Sequence, residues 1–291
     1  MLAAPPAQAA PPGGPQAASA LRDASPPAVS VLGGELVNAG TGATLWSEDA
    51  NVPRPMGSIT KVMAALVVLR AGDLGRQIKV TEAAVQYVQR DGASSAGLVA
   101  GDVLTTRQLL AAMLVPSGCD AAYLLATAYG PGRGAFVQKM NAMAQAMGLT
   151  ETHFSWFDGM PYPTEFSTYS SPADLVRIGE AAMRNPVFRS IVAQPSYYVA
   201  PTELHHGYQW YTTNELIGSY PGALGVKTGN TIAAGNCLLF EAERGGVTLI
   251  GVVLHANPSG DPGSAFPAAT ALLNWGFRQA GLRPTWGFRR A

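Results

Sequence analysis

The sequence predicts an α/β (α+β) fold in which an antiparallel sheet, formed from both chain ends, is covered by helices. Strand-like runs occur near both ends of the chain, helical patterns fill the middle, and no internal repeat is visible. Apolar residues make up 47% of the 291 residues, which is enough for a large buried core. We therefore expect one folded domain with an all-helical subdomain.

The expected boundaries follow from composition. Residues 1–28 are rich in Ala and Pro and nearly uncharged, which indicates a flexible lead. Residues 29–284 form the folded domain, with the helical subdomain over roughly residues 70–185 inserted in the sheet subdomain, and residues 285–291 form a tail. Ala7-Gln8-Ala9 has the form of a signal-peptidase site, yet no basic and apolar segments precede it. Two interpretations stay open: a secreted protein whose signal peptide is absent or truncated, or a plain linker.

The N-terminal part predicts a hairpin followed by a buried helix. Residues 29–38 and 43–46 have strand composition and are separated by a turn cluster. The next helix lies between Pro55 and Gly72, which are typical start and stop signals. Its residues are apolar on nearly every side, so we expect it to be buried.

The remaining elements follow from helical spacing, strand composition and breakers. A short helical turn is expected at 81–85, and residues 197–214, rich in Tyr, Trp and His, have no clear assignment. Gly245-Gly246 is a hairpin signal. The sequence predicts helices over 107–114, 121–129, 135–147, 171–183, 186–192 and 264–280, and strands over 223–228, 235–242 and 247–256.

Composition excludes several classes of function. The 19 basic and 19 acidic residues cancel and form no basic stripe, so we expect no nucleic-acid partner. The longest apolar runs are far shorter than the roughly 20 residues that span a bilayer, so no transmembrane helix is expected. Cys119 and Cys237 fit no zinc spacing and are expected to be free, buried thiols. His205-His206 has no evident acidic partner, so we expect no metal site there.

Ser58 and Lys61 are the polar residues at the entrance of the apolar helix. They are three positions apart and so share one helix face. A buried lysine is costly to keep charged, and a neutral amine beside a serine hydroxyl is a base beside a nucleophile. The pair alone is better explained by a helix cap at Ser58 and a surface lysine at Lys61.

Two further short motifs contain polar groups at element ends. Lys227-Thr228-Gly229 ends a strand-like run and offers a cation and a hydroxyl, a suitable pair for a carboxylate. Ser117-Gly118-Cys119 follows Pro116 at a helix junction. Alone, the first is explained by a surface turn and the second by a helix cap with a buried thiol.

Together, the three motifs resemble those of the low-molecular-mass penicillin-binding proteins, the serine D-alanyl-D-alanine peptidases. Ser-x-x-Lys, a Ser-x-Asn-type element and Lys-Thr-Gly occur in this order in that family. The resemblance covers about residues 29–280. Cys119 stands where the family usually has Asn, and the sequence is most similar to a branch with Ser-Gly-Cys that resembles DD-transpeptidases. The resemblance implies a β-lactamase/transpeptidase-like fold.

The resemblance also implies an activity: release of D-Ala from peptidoglycan pentapeptide stems ending in D-Ala-D-Ala, through an acyl-enzyme that then undergoes transpeptidation or hydrolysis. It implies acylation by β-lactam antibiotics, an extracytoplasmic location, a monomer, and no metal or organic cofactor. The implied catalytic residues are Ser58, Lys61 and Ser117. The implied substrate-binding residues are Lys227, Thr228, Gly229, Asn230 and Cys119.

Two alternatives stay open. One is a β-lactamase or esterase on the same fold, and the other is a non-catalytic penicillin-recognising module. The sequence has no Glu-x-x-Leu-Asn element that could supply a deacylating Glu, so we expect slow deacylation. A thiol replaces the amide hydrogen bonds of Asn poorly, so Cys119 leaves the balance between hydrolysis and transfer open.

Overall fold

The computed structural model describes residues 25–256 and 265–282. The lead up to residue 24 with Ala7-Gln8-Ala9, residue 264 of the expected closing helix and the tail at 285–291 lie outside the described residues. The strands are β1 Gly33–Asn38, β2 Ala43–Glu48, β3 Gln77–Lys79, β4 Val103–Thr105, β5 Ser196–Val199, β6 Tyr208–Tyr211, β7 Ala223–Thr231, β8 Gly235–Arg244 and β9 Val247–Ala256.

A five-stranded antiparallel sheet joins the two ends of the chain. Its spatial order is β2-β1-β9-β8-β7. The N-terminal strand β1 pairs along its whole length with β9, from Gly33 opposite Leu254 to Asn38 opposite Leu249. The expected sheet from both chain ends is therefore confirmed. Two small ribbons, β3 with β4 and β5 with β6, lie outside it, and the second of these occupies the stretch that the sequence left unassigned.

Helices cover both faces of the sheet. They are α1 Thr60–Ala71, α2 Glu82–Asp91, α3 Thr106–Leu114, α4 Cys119–Tyr129, α5 Arg133–Ala146, α6 Pro172–Met183, α7 Pro186–Val192 and α8 Ala265–Gln279. Helix α2 is longer than the expected turn, because the Thr81 side chain caps its start and Gly92 ends it in a left-handed conformation. None of the described helices has the length and apolar content needed to cross a membrane.

The core has two parts, one on each side of the sheet. The larger part contains α1, whose Val62 and Met63 are fully buried, together with sheet residues such as Leu239. The smaller part packs α8 against the other face, with Leu272 and Phe240 among its buried residues. Helix α1 is thus enclosed, which explains its apolar composition on nearly every side.

His206 has an acidic partner that the sequence does not reveal. Its Nδ1 lies 2.9 Å from Asp102 Oδ1, and its backbone N–H donates to Asp102 Oδ2 at 3.0 Å. The Tyr208 hydroxyl donates to the same carboxylate. The expectation of no acidic partner is wrong for His206, because Asp102 lies 104 positions earlier in the chain. Within the described residues, no group of three or more His, Cys, Asp or Glu side chains could hold a metal.

Glu241 is a carboxyl group buried within β8, and its side chain is only 5% exposed. Burial raises its pKa to about 7 from an ordinary 4.5. The folded state therefore holds this proton more tightly than the unfolded state, and stability falls as the pH rises from about 4.5 to about 7. We expect Glu241→Gln to match the native protein near pH 4 and to raise the free energy of unfolding by up to about 3 kcal/mol at pH 8.

Urea unfolding at both pH values measures this difference. The matched control is Glu243→Gln on the same strand, whose side chain is about half exposed and pairs with Arg189 at 3.4 Å. The free energy of unfolding of that variant should not rise at pH 8, since exposed ion pairs contribute little to stability. Equal effects of Glu241→Gln at pH 4 and pH 8 would contradict a buried, titrating carboxyl.

Candidate active site

Ser58 and Lys61 form a direct hydrogen bond at the entrance of α1. Ser58 lies in a single 3₁₀ turn, Gly57–Ile59, that leads into the helix. The side chain of Lys61, one turn later, is completely buried. Its Nζ lies 2.7 Å from Ser58 Oγ. The two side chains that share a helix face in the sequence are therefore in contact.

The Lys61 amine has three oxygen partners. Besides Ser58 Oγ, these are Ser117 Oγ at 3.4 Å and the backbone carbonyl of Asp158 at 3.0 Å. An ammonium group can donate to all three. A neutral amine donates only two hydrogen bonds and accepts one, so in that form the Ser58 hydroxyl can donate its proton to Nζ. The arrangement therefore suits proton transfer from Ser58 to Lys61.

The carbonyl that orients Lys61 belongs to a fully buried aspartate. The Asp158 carboxylate accepts a hydrogen bond from the Tyr87 hydroxyl at 2.7 Å and another from the backbone N–H of Met160 at 3.0 Å. The Trp156 indole N–H donates to the Tyr87 oxygen at 3.0 Å. Burial, followed by the charge of Asp158, raises the pKa of Tyr87 above its usual range, so the phenol stays a donor. The amino-acid sequence does not indicate Asp158, because its contact with Lys61 uses the main chain.

Ser117 is held in the left-handed region, with φ = +67°. For a residue other than glycine, this conformation costs on the order of 1–3 kcal/mol and persists only where neighbours enforce it. Ser94 supplies that enforcement: its hydroxyl donates to the Ser117 carbonyl at 2.6 Å, and its own carbonyl accepts from the Cys119 N–H at 2.7 Å. The strain is thus located at the residue whose hydroxyl approaches Lys61.

Cys119 lies behind Ser117 and is only 1% exposed. Its Sγ lies 3.4 Å from Ser94 Oγ. Burial raises the pKa of its thiol to about 11, so the thiol is neutral at ordinary pH. The described cavity wall includes Cys237 but does not include Cys119. Both cysteines are free and buried, and the expectation of two free thiols is confirmed.

Lys227, on β7, is a second buried amine near the first. Its Nζ donates to the carbonyl and the hydroxyl of Thr228 at 3.1 and 3.2 Å. Burial, followed by the positive charge of Lys61, lowers the pKa of Lys227 well below its ordinary range. The Thr228 hydroxyl lies 2.6 Å from that of Thr213. A carboxylate arriving here would supply the negative charge that favours the ammonium form of Lys227.

Three glycines let three backbone segments cross beside Ser58. A Cβ atom at Gly229 would lie 2.1 Å from the Met56 carbonyl oxygen, and one at Gly159 would lie 2.0 Å from the Gly57 oxygen. A Cβ atom at Gly57 would lie 2.7 Å from the backbone nitrogen of Asn230. Only residues without side chains permit this approach. The close approach at these glycines places the backbone around Ser58 against the backbone of Gly229 and Asn230.

A cavity of about 560 Å³ opens above these groups. Its volume lies in the range typical of sites that enclose a small molecule. The expected site residues that line it are Ser58, Ser117, Thr228, Gly229 and Asn230. The wall also contains residues that the sequence did not assign to the site, among them Ser94, Met160, Thr213 and Glu215. Thr213 and Glu215 lie in Thr213-Asn214-Glu215-Leu216, a segment that resembles a landmark of the same family as the three motifs, whereas nothing in the local sequence indicates Ser94 or Met160.

The sequence profile of the D-alanyl-D-alanine carboxypeptidase family matches residues 22–258. The chain belongs to this family. It is similar to the D-alanyl-D-alanine carboxypeptidase of Streptomyces sp. (strain K15), with 42% identity over 86% of this chain and 88% of that protein. It is also similar to the D-alanyl-D-alanine carboxypeptidase DacB2 of Mycobacterium tuberculosis, with 37% identity over 81% and 79% of the two chains.

Solved structures agree with the sequence comparison. The crystal structure of the Streptomyces K15 DD-transpeptidase superposes with a TM-score of 0.81 at 40% identity, covering 87% of this chain and 99% of that chain. The family fold expected from the three motifs is therefore confirmed. The chain is thus similar both to a protein of Streptomyces K15 named a D-alanyl-D-alanine carboxypeptidase and to a structure from K15 named a DD-transpeptidase.

Proposed function

We propose that this protein is a serine DD-peptidase that releases the terminal D-Ala from peptidoglycan stem peptides ending in D-Ala-D-Ala. The observation that carries the proposal is the 2.7 Å contact between Lys61 Nζ and Ser58 Oγ at the floor of the cavity. It places a base against a nucleophile that a ligand can reach. Membership of the D-alanyl-D-alanine carboxypeptidase family supports the substrate class.

Acylation begins with attack of Ser58 Oγ on the carbonyl carbon of the penultimate D-Ala. Lys61, in its neutral form, takes the hydroxyl proton as the oxygen–carbon bond forms. The carbon–nitrogen bond to the last D-Ala then breaks, and its amine receives a proton through Ser117. The 3.4 Å separation between Lys61 Nζ and Ser117 Oγ supports this relay. The products are free D-Ala and an ester on Ser58.

The terminal carboxylate of the substrate binds to Lys227 and Thr228. Its negative charge favours the ammonium form of Lys227, whose pKa in the free protein is lowered by burial and by the charge of Lys61. The backbone N–H groups of Ser58 and Asn230 donate to the oxyanion that forms during attack. The close crossing at Gly57 and Gly229 supports this pairing.

The acyl-enzyme has two outcomes. Attack by water completes a carboxypeptidase reaction, and attack by an amine of another stem peptide completes a transpeptidation. The chain has Cys119 next to the site, where an amide would hold the substrate more firmly. Product analysis with a D-Ala-D-Ala peptide, with and without an acceptor amine, separates the two outcomes.

Penicillin should acylate the native protein, because a β-lactam resembles the acyl-D-Ala-D-Ala end. Opening of its ring expels no fragment, so the protein should gain the mass of one whole penicillin molecule, measured by intact mass spectrometry. We expect the adduct to persist, since the sequence has no deacylating Glu element. Ser58→Ala should gain no mass, whereas the exposed-site control Ser30→Ala should react as the native protein does. Absence of the adduct on the native protein would refute the proposed function.

We further propose that the protein works as a monomer on the extracytoplasmic side of the cell, where peptidoglycan is crosslinked. The substrate class supports this location. Rapid turnover of a chromogenic cephalosporin in place of a stable adduct would instead favour a β-lactamase.

A further inference from the structure

A second groove adjoins the active-site cavity. It has a volume of about 550 Å³, and its wall contains the aromatic residues Tyr87, Trp156 and Tyr162 and the cations Arg90 and Arg133. We call it the Arg133 groove. Met160 lines both the groove and the active-site cavity. The two spaces are therefore neighbours, and a chain leaving Ser58 past Met160 enters the groove.

Arg133 is oriented by aromatic rings. Its guanidinium carbon lies 4.6 Å from the centre of the Tyr123 ring and 5.3 Å from that of Trp156. Stacking of this kind fixes the plane of the guanidinium group without using its N–H donors. Among the residues that the structure describes, none accepts a hydrogen bond from the Arg133 side chain or forms an ion pair with it. The donors of this partly buried cation are available to a ligand.

Arg90 provides the contrast within the same groove. Its Nε lies 2.7 Å from Asp91 Oδ1, and its Nη2 lies 2.8 Å from Asp91 Oδ2. Its charge is thus already paired, and its side chain is 71% exposed. The Asp91 carboxylate also lines the groove, and its pKa is lowered first by its hydrogen bonds to Arg90 and, to a smaller extent, by the charge of Arg133. No hydrogen bond or ion pair joins Asp91 to Arg133, so of the two arginines Arg133 is the one whose donors are free to receive an anion.

The wall of the groove is connected to the catalytic lysine. Trp156 donates to Tyr87, Tyr87 donates to Asp158, and the Asp158 carbonyl accepts from Lys61. Trp156, one of the two rings that hold Arg133, is therefore linked by hydrogen bonds to the groups around Ser58. A ligand bound in the groove occupies a fixed position relative to Ser58.

We propose that Arg133 binds a carboxylate of the donor peptide upstream of the residue that is transferred to Ser58. The inference rests on the proposed function, which sets a peptide in the cavity with its terminal carboxylate at Lys227. A planar guanidinium with free donors matches a carboxylate in a two-bond geometry. The aromatic wall contacts the apolar parts of the same segment. The site selects donor peptides that have a negative charge upstream of D-Ala-D-Ala.

Equilibrium binding tests this selection without requiring turnover. The probes are peptides ending in D-Ala-D-Ala that have one side-chain carboxylate two, three or four residues before the last residue, each with a carboxamide twin. Binding is measured by calorimetry to Ser58→Ala. At one of these positions we expect the acid to bind roughly tenfold more tightly than its amide, a preference that shrinks with added salt. Arg133→Gln, added to Ser58→Ala, should abolish the preference, whereas Arg90→Gln should preserve it.

Equal binding of acid and amide at every position, or no binding of either, overturns the inference. A preference that survives Arg133→Gln also overturns it. Failure of the proposed function is seen separately, by penicillin treatment of proteins that retain Ser58. Arg90→Gln, which leaves Arg133 in place, should form the penicillin adduct at a rate within about twofold of the native protein, because exposed ion pairs contribute little. Circular dichroism should show that Arg133→Gln keeps its fold.

Discussion

Lys61→Met is expected to slow penicillin acylation of Ser58 by about 10²- to 10⁴-fold. Methionine is unbranched, flexible and apolar, so it fills the buried space without supplying a base. The variant loses the amine that lies 2.7 Å from Ser58 Oγ, and no other described side-chain nitrogen donates to that oxygen. The second-order rate constant for acylation with a fluorescent penicillin measures the effect.

Lys79→Ala is the matched control for this loss. Lys79 is an exposed residue of β3, away from the cavity wall. The Lys79→Ala variant should therefore be acylated at the native rate. Circular dichroism should show that Lys61→Met keeps its fold. A folded Lys61→Met variant that reacts within tenfold of the native rate would rule out Lys61 as the base.

Gly229→Ala should reduce acylation by about 10²- to 10³-fold, a loss comparable to removing one oxyanion donor. The added Cβ atom would lie 2.1 Å from the Met56 carbonyl oxygen and 3.2 Å from the backbone nitrogen of Ile59. Both contacts involve backbone atoms, which cannot swing aside as a flexible side chain can. The strand must therefore move away from Ser58 and take the Asn230 N–H with it. Overpacking of this kind should also cost about 1–3 kcal/mol of stability.

Gly134→Ala tests whether glycine loss alone has these effects. Gly134 lies near the start of α5, and a Cβ atom there would meet nothing within 4 Å. This variant should acylate at the native rate. Because alanine favours helix more than glycine does, its free energy of unfolding should rise by up to about 1 kcal/mol. The measurements are the acylation rate constant and the thermal midpoint. Native acylation in Gly229→Ala would show that the crossing does not position the oxyanion donors.

Local signals in the sequence were sufficient for much of the fold. The bounds of α6 and α7 agree with the expected helices within one residue, because Pro172 and Pro186 start them and the Ser171 and Asn185 side chains cap them. The strand β9 matches its expected range. The order of Ser-x-x-Lys, Ser-Gly-Cys and Lys-Thr-Gly indicated the family, because three motifs are far more specific together than apart.

Contacts between distant backbone segments were beyond sequence reasoning. The Asp158 carbonyl reaches Lys61 across 97 positions, and a carbonyl has no residue-specific signature. The β5–β6 ribbon was unassigned because its strands have only four residues each and are separated by the loop 200–207. The free donors of Arg133 depend on what its neighbours leave unpaired, which only the folded chain determines.

The pairing of β1 with β9 has a consequence for biosynthesis. The ribosome makes Ser58 early, while Lys227 to Asn230 follow more than half a chain length later, and β9 follows them. Contacts so distant in sequence form late, because the intervening chain must be ordered first. On the proposed function, a nascent polypeptide therefore has the Ser58 hydroxyl but lacks the partners that would activate it until the last strand closes the sheet. We expect unfinished or truncated molecules to be inert toward both peptides and antibiotics.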